Sequence, residues 1–336
     1  MTDTTLPRHV WPLPRIEIGS LSQVRESRPV ALYMSGPAWE ALGGVLDLPV
    51  AWRAEPVEAT EAHFLELAGA IPADVQVIYA VGGGLPVDAA KIAMARRALP
   101  LIAVPTALSV DAHLTPASGI RREGCVFYVE TGAPQRLLID WEVIAAAPSW
   151  VRAAGLGDVL SIATGLWDWR YADEQGKNPL GQRWIPYAAE SAKVLLDEGI
   201  RIAASAGAGE VAGLAGLLQL LALEVQLCNL IGHSRPEEGS EHAFAYSVEH
   251  LVDHGLPHGD LVGPGIVAMA AAQGQEPDLL REALLAAGAR LDRIPRPAAE
   301  TTLRGLPAYV ERHQLPFSVA HTLDATRIER ALASLW

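Results

Sequence analysis

The stretch VQVIYAVGGGLPVDAAKIAMARRALPLIAVP, residues 75–105, decides how this chain is read. VQVIYAV (75–81) is apolar and rich in β-branched residues, and it runs directly into Gly82-Gly83-Gly84. VDAAKIAMARRA (87–98) has helical spacing, and LIAVP (101–105) is apolar again. Strand, glycine turn, helix and strand in that order make a βαβ unit with parallel strands. Three glycines let a ligand approach the main chain, and Pro86 suits a first helical turn. The helix N-terminus offers free N–H groups to a phosphate. The spacing is neither GxGxxG nor GxxxxGK[ST], so a turn without a ligand is the competing reading.

Outward from this unit the alternation continues. VALYM (30–34) and LPVAW (48–52) read as strands, while PAWEALGGVL (37–46) and AHFLELAGAI (62–71) read as helices. Tyr128-Val129 and RLLID (136–140) look like strand pieces. From Trp150 onward the pattern is helical, over 151–171, 185–206, 211–231, 242–251 and 261–273. The expected fold is α/β followed by all-α, with a nucleotide-type domain over 1–148 and a helical domain over 149–336.

Of 336 residues, 50% are hydrophobic and 19% charged, enough to bury a sizeable core and to exclude a mostly disordered chain. A formal net charge of −13 argues against a sequence-independent grip on nucleic acid or anionic lipid. Only Lys91, Lys177 and Lys193 are lysines, so arginine carries nearly all the positive charge. Cys125 and Cys228 make neither a disulfide framework nor a CxxC zinc site. The first residues lack the apolar core of a signal peptide. The most apolar stretch, 211–223, is followed by Glu224, Gln226 and Asn229 and falls short of the roughly 18–20 apolar residues of a spanning helix. A soluble, cytoplasmic protein with no nucleic-acid partner and no membrane insertion is expected.

Three further segments carry chemistry. PTALSVDAH (105–113) places Thr106, Ser109 and Asp111 beyond a strand end, where parallel sheets bind ligands, although such residues also build ordinary turns. GLGDVLS (155–161) reads most simply with Asp158 as a helix N-cap. GSEH (239–242) and HGD (258–260) bracket His242, His250, His254 and His258. Four histidines near a loose carboxylate fit a divalent-metal site as well as they fit packed core histidines, and spacing alone does not choose among them.

GGGLPVDAAK, PTALSVDAHLTP, GLGDVLS and GSEH…HG, in that order, resemble the metal-dependent alcohol dehydrogenase superfamily. That group includes glycerol dehydrogenase, glycerol-1-phosphate dehydrogenase and 3-dehydroquinate synthase. AAGLGDVLSIATGLWDWRYA (153–172) and SRPEEGSEH (234–242) are similar to the GDxxS…DWK and SRPxSGSEH runs of the glycerol-1-phosphate branch. The resemblance covers residues 7–275. It implies a Rossmann-like parallel-sheet domain, a helical-bundle domain and an active site in the cleft between them. It implies NAD(P)H on Gly82, Gly83, Gly84 and Asp88, with Thr106, Ser109 and Thr115 nearer the nicotinamide. It implies one divalent ion on Asp158, His242 and His258, with Zn²⁺ the first expectation and Ni²⁺ or Fe²⁺ the alternatives. It also implies a small-molecule substrate at Asp111 and a homo-oligomer. The implied reaction is reduction of a small polyol-type ketone, with glycerone phosphate, giving sn-glycerol 1-phosphate, as the leading substrate.

Three positions depart from the branch. Tyr246 stands where a second histidine touches the substrate, so the candidate catalytic residues are Asp111 and Tyr246, with His250 or His254 as substitutes for the lost contact. The change weakens the case for glycerone phosphate and leaves another small ketone or aldehyde as the alternative. Tyr33-Met34-Ser35-Gly36 lacks the acidic residue that meets the adenosine ribose, which implies that NADPH is accepted. Val110 and Ala112 replace the His and Gly that flank Asp111. A ring-forming lyase fits poorly, because Ser161 stands where that chemistry needs Lys, and a non-catalytic binding protein would not need the retained ligand set. Trp167 and Trp169 read as packing, Asp168 and Arg170 as ion pairing, and Arg121-Arg122 as a solvated turn. Arg235 either reaches a substrate phosphate or closes a loop, and 290–336 carries no motif.

Overall fold

The computed structural model describes residues 9–252 and 256–336. These fall into two compact units, Trp11–Pro148 and Ser149–Trp336, with His9 and Val10 grouped with the second.

The first unit contains β1 (Arg15–Ile18), β2 (Val30–Met34), α1 (Gly36–Ala41), β3 (Val50–Ala54), α2 (Glu61–Ala70), β4 (Val77–Gly82), α3 (Gly84–Arg97) and β5 (Leu101–Pro105). β6 (Ala117–Arg122), β7 (Cys125–Glu130), β8 (Arg136–Ile139) and α4 (Trp141–Ala146) follow. Six strands form one sheet in the order β1-β8-β5-β4-β2-β3, with every pairing parallel. Both faces are covered, which is why β2, β4 and β5 read as unbroken apolar runs. Ala31, Tyr33, Ile78 and Ala80 pack with Phe64 and Ala68 of α2 and Val87 and Ala90 of α3. Their neighbours Val30, Leu32, Val77, Tyr79 and Val81 point the other way, onto Leu21, Leu42 and Leu46. From β2 the chain moves to β3 on one side, and from β4 to β5 on the other. The glycine loop after β4 therefore lies at the point where strand order reverses, the usual ligand position in an open α/β sheet.

β6 and β7 form a separate antiparallel hairpin. Arg121 and Arg122 end β6, and the turn lies after them at Glu123-Gly124, with φ of 51° and 80°. The solvated-turn reading of the two arginines is thus corrected, and Arg122 pairs with Glu61 at 3.0 Å. β1 had no sequence signal because four residues, Arg15–Ile18, carry too little periodicity. It is fixed by pairing with β8, across which Glu17 and Arg136 form an ion pair at 2.6 Å.

The second unit contains α5 (Ser149–Arg152), α6 (Leu156–Glu174), α7 (Pro186–Gly207), α8 (Val211–Ile231), α9 (Ser240–Val248), α10 (His258–Gln273), α11 (Asp278–Ala286), α12 (Arg296–Arg312) and α13 (Ala325–Leu335). α10 is its axis, buried from Gly259 to Gln273. It touches α6, α9, α11 and α13. From sequence the most apolar stretch ends at Leu223. The helix runs on to Ile231, and as a whole it is long and apolar enough to cross a membrane, with mean hydropathy 1.8. It is 56% buried, packs on α7 and carries Glu224 at 2% exposure, as a core helix does. Neither Cys125 nor Cys228 is in a disulfide.

Candidate active site

The glycine loop is shaped by its neighbours. Gly82 has φ +127°, a conformation side chains rarely adopt, and a Cβ there would lie 3.1 Å from that of Ser35. Gly83 caps α3 with no side-chain bond to the helix N-terminus. A Cβ on Gly83 would meet Ser109 Oγ at 3.4 Å, and one on Gly84 would meet Val110 at 3.3 Å. The 105–113 segment therefore packs on this loop. His113, which the sequence did not single out, completes the contact by bonding the Gly82 carbonyl through Nε2 at 3.0 Å. Burial dominates its titration, pushing the imidazole down to about 4, so it stays neutral.

Thr106, Ser109 and Asp111 are half-buried in that segment, with Asp111 opening a short 3₁₀ turn. Asp88 and Thr115 face inward. The buried ammonium of Lys91 lies 3.1 Å from Asp88 Oδ1 and donates to Thr115 Oγ1 at 3.2 Å and to the Ala112 carbonyl at 3.0 Å. Burial raises the Asp88 carboxyl, against the pull of Lys91. These two side chains brace the floor of the loop.

The corner after β2 holds a carboxylate after all. Glu55, just beyond β3, accepts the Gly36 N–H at 2.7 Å. Ser35, one residue back, donates its N–H to the Val81 carbonyl at 3.0 Å. Residues 33–36 themselves lack an acid, as read from the sequence, and the end of the neighbouring strand brings Glu55 to the same corner. Linear order hid it, because the juxtaposition depends on the β2–β3 pairing.

In the helical unit, Asp158, His242 and His258 each offer one ligand atom, all within 4.8 Å of one another. His258 Nε2 lies 3.3 Å from Asp158 Oδ1, and the two imidazole centroids are 5.4 Å apart. Ligand atoms about 2.0–2.1 Å from a tetrahedral ion sit about 3.3 Å apart. The carboxylate and the two imidazoles thus fit a divalent ion. Asp158 is not an N-cap, as the simple reading had it: α6 starts at Leu156 with Gly155 as its cap, leaving the carboxylate in the first turn. His242 Nδ1 bonds Glu241 Oε1 at 2.8 Å, leaving Nε2 for a ligand. Burial opposes charge on His242, but the bond to Glu241 and the fields of Glu241, Glu238 and Asp158 prevail and push it up to about 9.

Glycines bring these elements together. A Cβ on Gly265 of α10 would lie 2.6 Å from the Glu241 carbonyl, and one on Gly259 would lie 3.0 Å from Ala154. A Cβ on Gly165 of α6 would meet the Pro236 carbonyl at 3.1 Å. Buried Asp168 ties the frame, accepting the N–H of Ser240 at 2.8 Å and of Val319 at 2.7 Å. Burial pushes its carboxyl up to about 6, against the Ser240 bonds. Arg170 is ion-paired as expected, with Glu174 at 2.7 Å, while the charge that Asp168 faces is Arg235. Of the two readings for Arg235, the structure favours loop closure: the residue is 2% exposed, and Nη2 donates to the carbonyls of Asp168 and Phe317. Ser161 donates to the Asp158 carbonyl at 2.6 Å and to that of Glu237.

Tyr246 shares a face of α9 with His242, ring centroids 5.8 Å apart, and donates to Glu238 Oε1 at 2.7 Å. His250 lies in the short 3₁₀ turn after α9, and His254 falls outside the described residues.

Parallel sheet, glycine loop and two-histidine, one-carboxylate cluster define a class. The family model described as iron-containing alcohol dehydrogenase matches residues 46–148. In fold the chain is like a probable glycerol dehydrogenase from Sinorhizobium meliloti, with TM-score 0.71 and 16% identity over 97% of this chain and 98% of that one. A glycerol-1-phosphate dehydrogenase of Thermofilum pendens is 32% identical over 272 residues, 78% of this chain and 76% of that protein. One from Aeropyrum pernix is 30% identical over 285 residues, 81% and 78% of the two. The chain belongs to the glycerol-1-phosphate dehydrogenase family of the iron-containing alcohol dehydrogenases.

Proposed function

We propose that this chain is a metal-dependent NAD(P)H oxidoreductase that reduces a small polyol-type ketone to the alcohol. The carrying observation is the cluster of Asp158, His242 and His258, with His242 Nδ1 already engaged by Glu241. Family membership supports the dehydrogenase class and NAD(P) as its cofactor. The names of the relatives make glycerone phosphate the first substrate to test.

Asp158, His242 and His258 hold the ion, and Glu241 keeps His242 in the tautomer that presents Nε2. Gly82, Gly83 and Gly84 let the main chain and the α3 N-terminus meet the pyrophosphate. Thr106 and Ser109 lie on the strand-end segment that packs against that loop and would face the nicotinamide side. When bound, the ion supplies a Lewis acid for the carbonyl oxygen and the nicotinamide a hydride for its carbon. Asp111 orients a substrate hydroxyl or relays the proton that the product oxygen takes up.

Absorbance at the reduced-nicotinamide band tests this, with a ketone panel and Zn²⁺, Ni²⁺ or Fe²⁺ added to chelator-treated protein. Turnover that returns with metal, and falls at least about a thousandfold in Asp158→Ala, is expected. Metal-independent turnover, or full activity in folded Asp158→Ala, would overturn the reading.

A further inference from the structure

We infer that the carboxylate of Glu238, held in place by Tyr246, makes this chain select an uncharged polyhydroxy ketone and reject its phosphate ester. The inference rests on the dehydrogenase reading above and narrows its substrate.

Glu238 is fixed from both sides. Its Oε1 accepts from Tyr246 Oη at 2.7 Å and its Oε2 from Ser234 Oγ at 2.8 Å. The loop that carries it is held by its own hydrogen bonds. Its main chain turns back on Ser234, whose carbonyl accepts the N–H of Glu237 at 3.0 Å and of Glu238 at 2.9 Å. Buried Arg235 clamps the same loop to α6 through the Asp168 carbonyl. Tyr246 reaches Glu238 from one helical turn beyond His242, on the face that the triad uses. A fixed anion therefore stands beside the proposed substrate position.

The local charge count points the same way. Asp158 of the triad and its neighbours Glu238 and Glu241 all act on His242, and their three negative charges outnumber a divalent ion's two. Buried Arg235 adds one positive charge, but Asp168, Glu241 and Glu238 share its field, so with Asp158 four carboxylates still face three positive charges. A phosphate ester would bring about two further negative charges next to Glu238, the like-charge placement that interfaces use to exclude wrong partners. A hydroxyl suits the same atoms, since the carboxylate and the Tyr246 oxygen both have acceptor capacity for its proton. The reduction is unchanged: one hydride and one proton add across the C=O bond, and NAD(P)H leaves as NAD(P)⁺.

The test compares kcat/KM for glycerone and glycerone phosphate, with metal-loaded wild type, Glu238→Gln and Glu238→Ser. Wild type is expected to favour glycerone by about 100-fold, and both variants to lower that ratio at least about tenfold, mostly by gaining on the phosphate ester. Preference of wild type for the phosphate ester, or an unchanged ratio in both variants, overturns the inference. Calorimetry with glycerol and glycerol 1-phosphate on the same proteins is read independently of turnover. Tighter phosphate binding by wild type than by Glu238→Gln likewise overturns it. If no ketone is reduced by any variant, the dehydrogenase reading fails, and the calorimetric comparison still decides whether Glu238 excludes anions.

Discussion

Glu55 and His113 show what single residues contribute beyond the motifs. A carboxylate at Gly36 competes well for a ribose hydroxyl and repels a 2′-phosphate. NADH is therefore expected to outperform NADPH by at least about tenfold in kcat/KM, and Glu55→Gln to narrow the gap. Equal use of both cofactors by wild type would refute this. His113 offers a pH test. Its folded pKa of about 4 lies below the ordinary histidine value of 6.5, so on acidification the unfolded chain takes up the proton first. Its contribution to stability is thus full above pH 6.5 and is lost as pH falls towards 4, by about 3 kcal/mol. Asp168, raised to about 6, works in the opposite sense between 6 and 3.8, and it is common to wild type and His113→Gln. The difference between their denaturation curves is expected to shrink over that window as wild type loses its advantage. A constant difference would show that His113 is not held neutral. That Asp158, His242 and His258 come together was legible in sequence through the family resemblance of an ordered set of motifs, where spacing alone left the choice open. Glu55, His113 and Glu241 act through strand order or a helix turn, and no linear spacing announces them.

Helix ends and crossings decide how the triad is assembled. Asp158 lies in the first turn of α6, His242 in that of α9 and His258 at the start of α10. The crossing of α10 on α9 depends on Gly265, where a methyl group would overlap the Glu241 carbonyl. Gly265→Ala is expected to push α9 away, costing about 1–3 kcal/mol of stability and weakening Zn²⁺ binding in a chelator competition. Unchanged affinity would mean that α9 absorbs the shift. Most helices of the second unit were legible from periodicity. Their joints were not: Val319 and Phe317 come from a segment without any motif, yet the first bonds Asp168 and the second Arg235. Their role is carried by main-chain N–H and C=O groups, which every residue owns and no sequence pattern displays.

The glycine loop lies in Trp11–Pro148 and the cluster of Asp158, His242 and His258 in Ser149–Trp336. Ligands that bind only the native state protect the elements they hold. In hydrogen exchange, Zn²⁺ is expected to slow amides of α6, α9 and α10, and NADH those of β4 and α3. Uniform protection by either ligand alone would contradict this division. Lys91 has one more bearing on the molecule. Its amine is sealed at 0% exposure and held by carbonyls and Asp88, whereas Lys177 and Lys193 are exposed. To an acylating reagent the folded protein is therefore a two-lysine protein. The third lysine reports opening of the glycine loop, because its acylation requires the β4–α3 turn to open first.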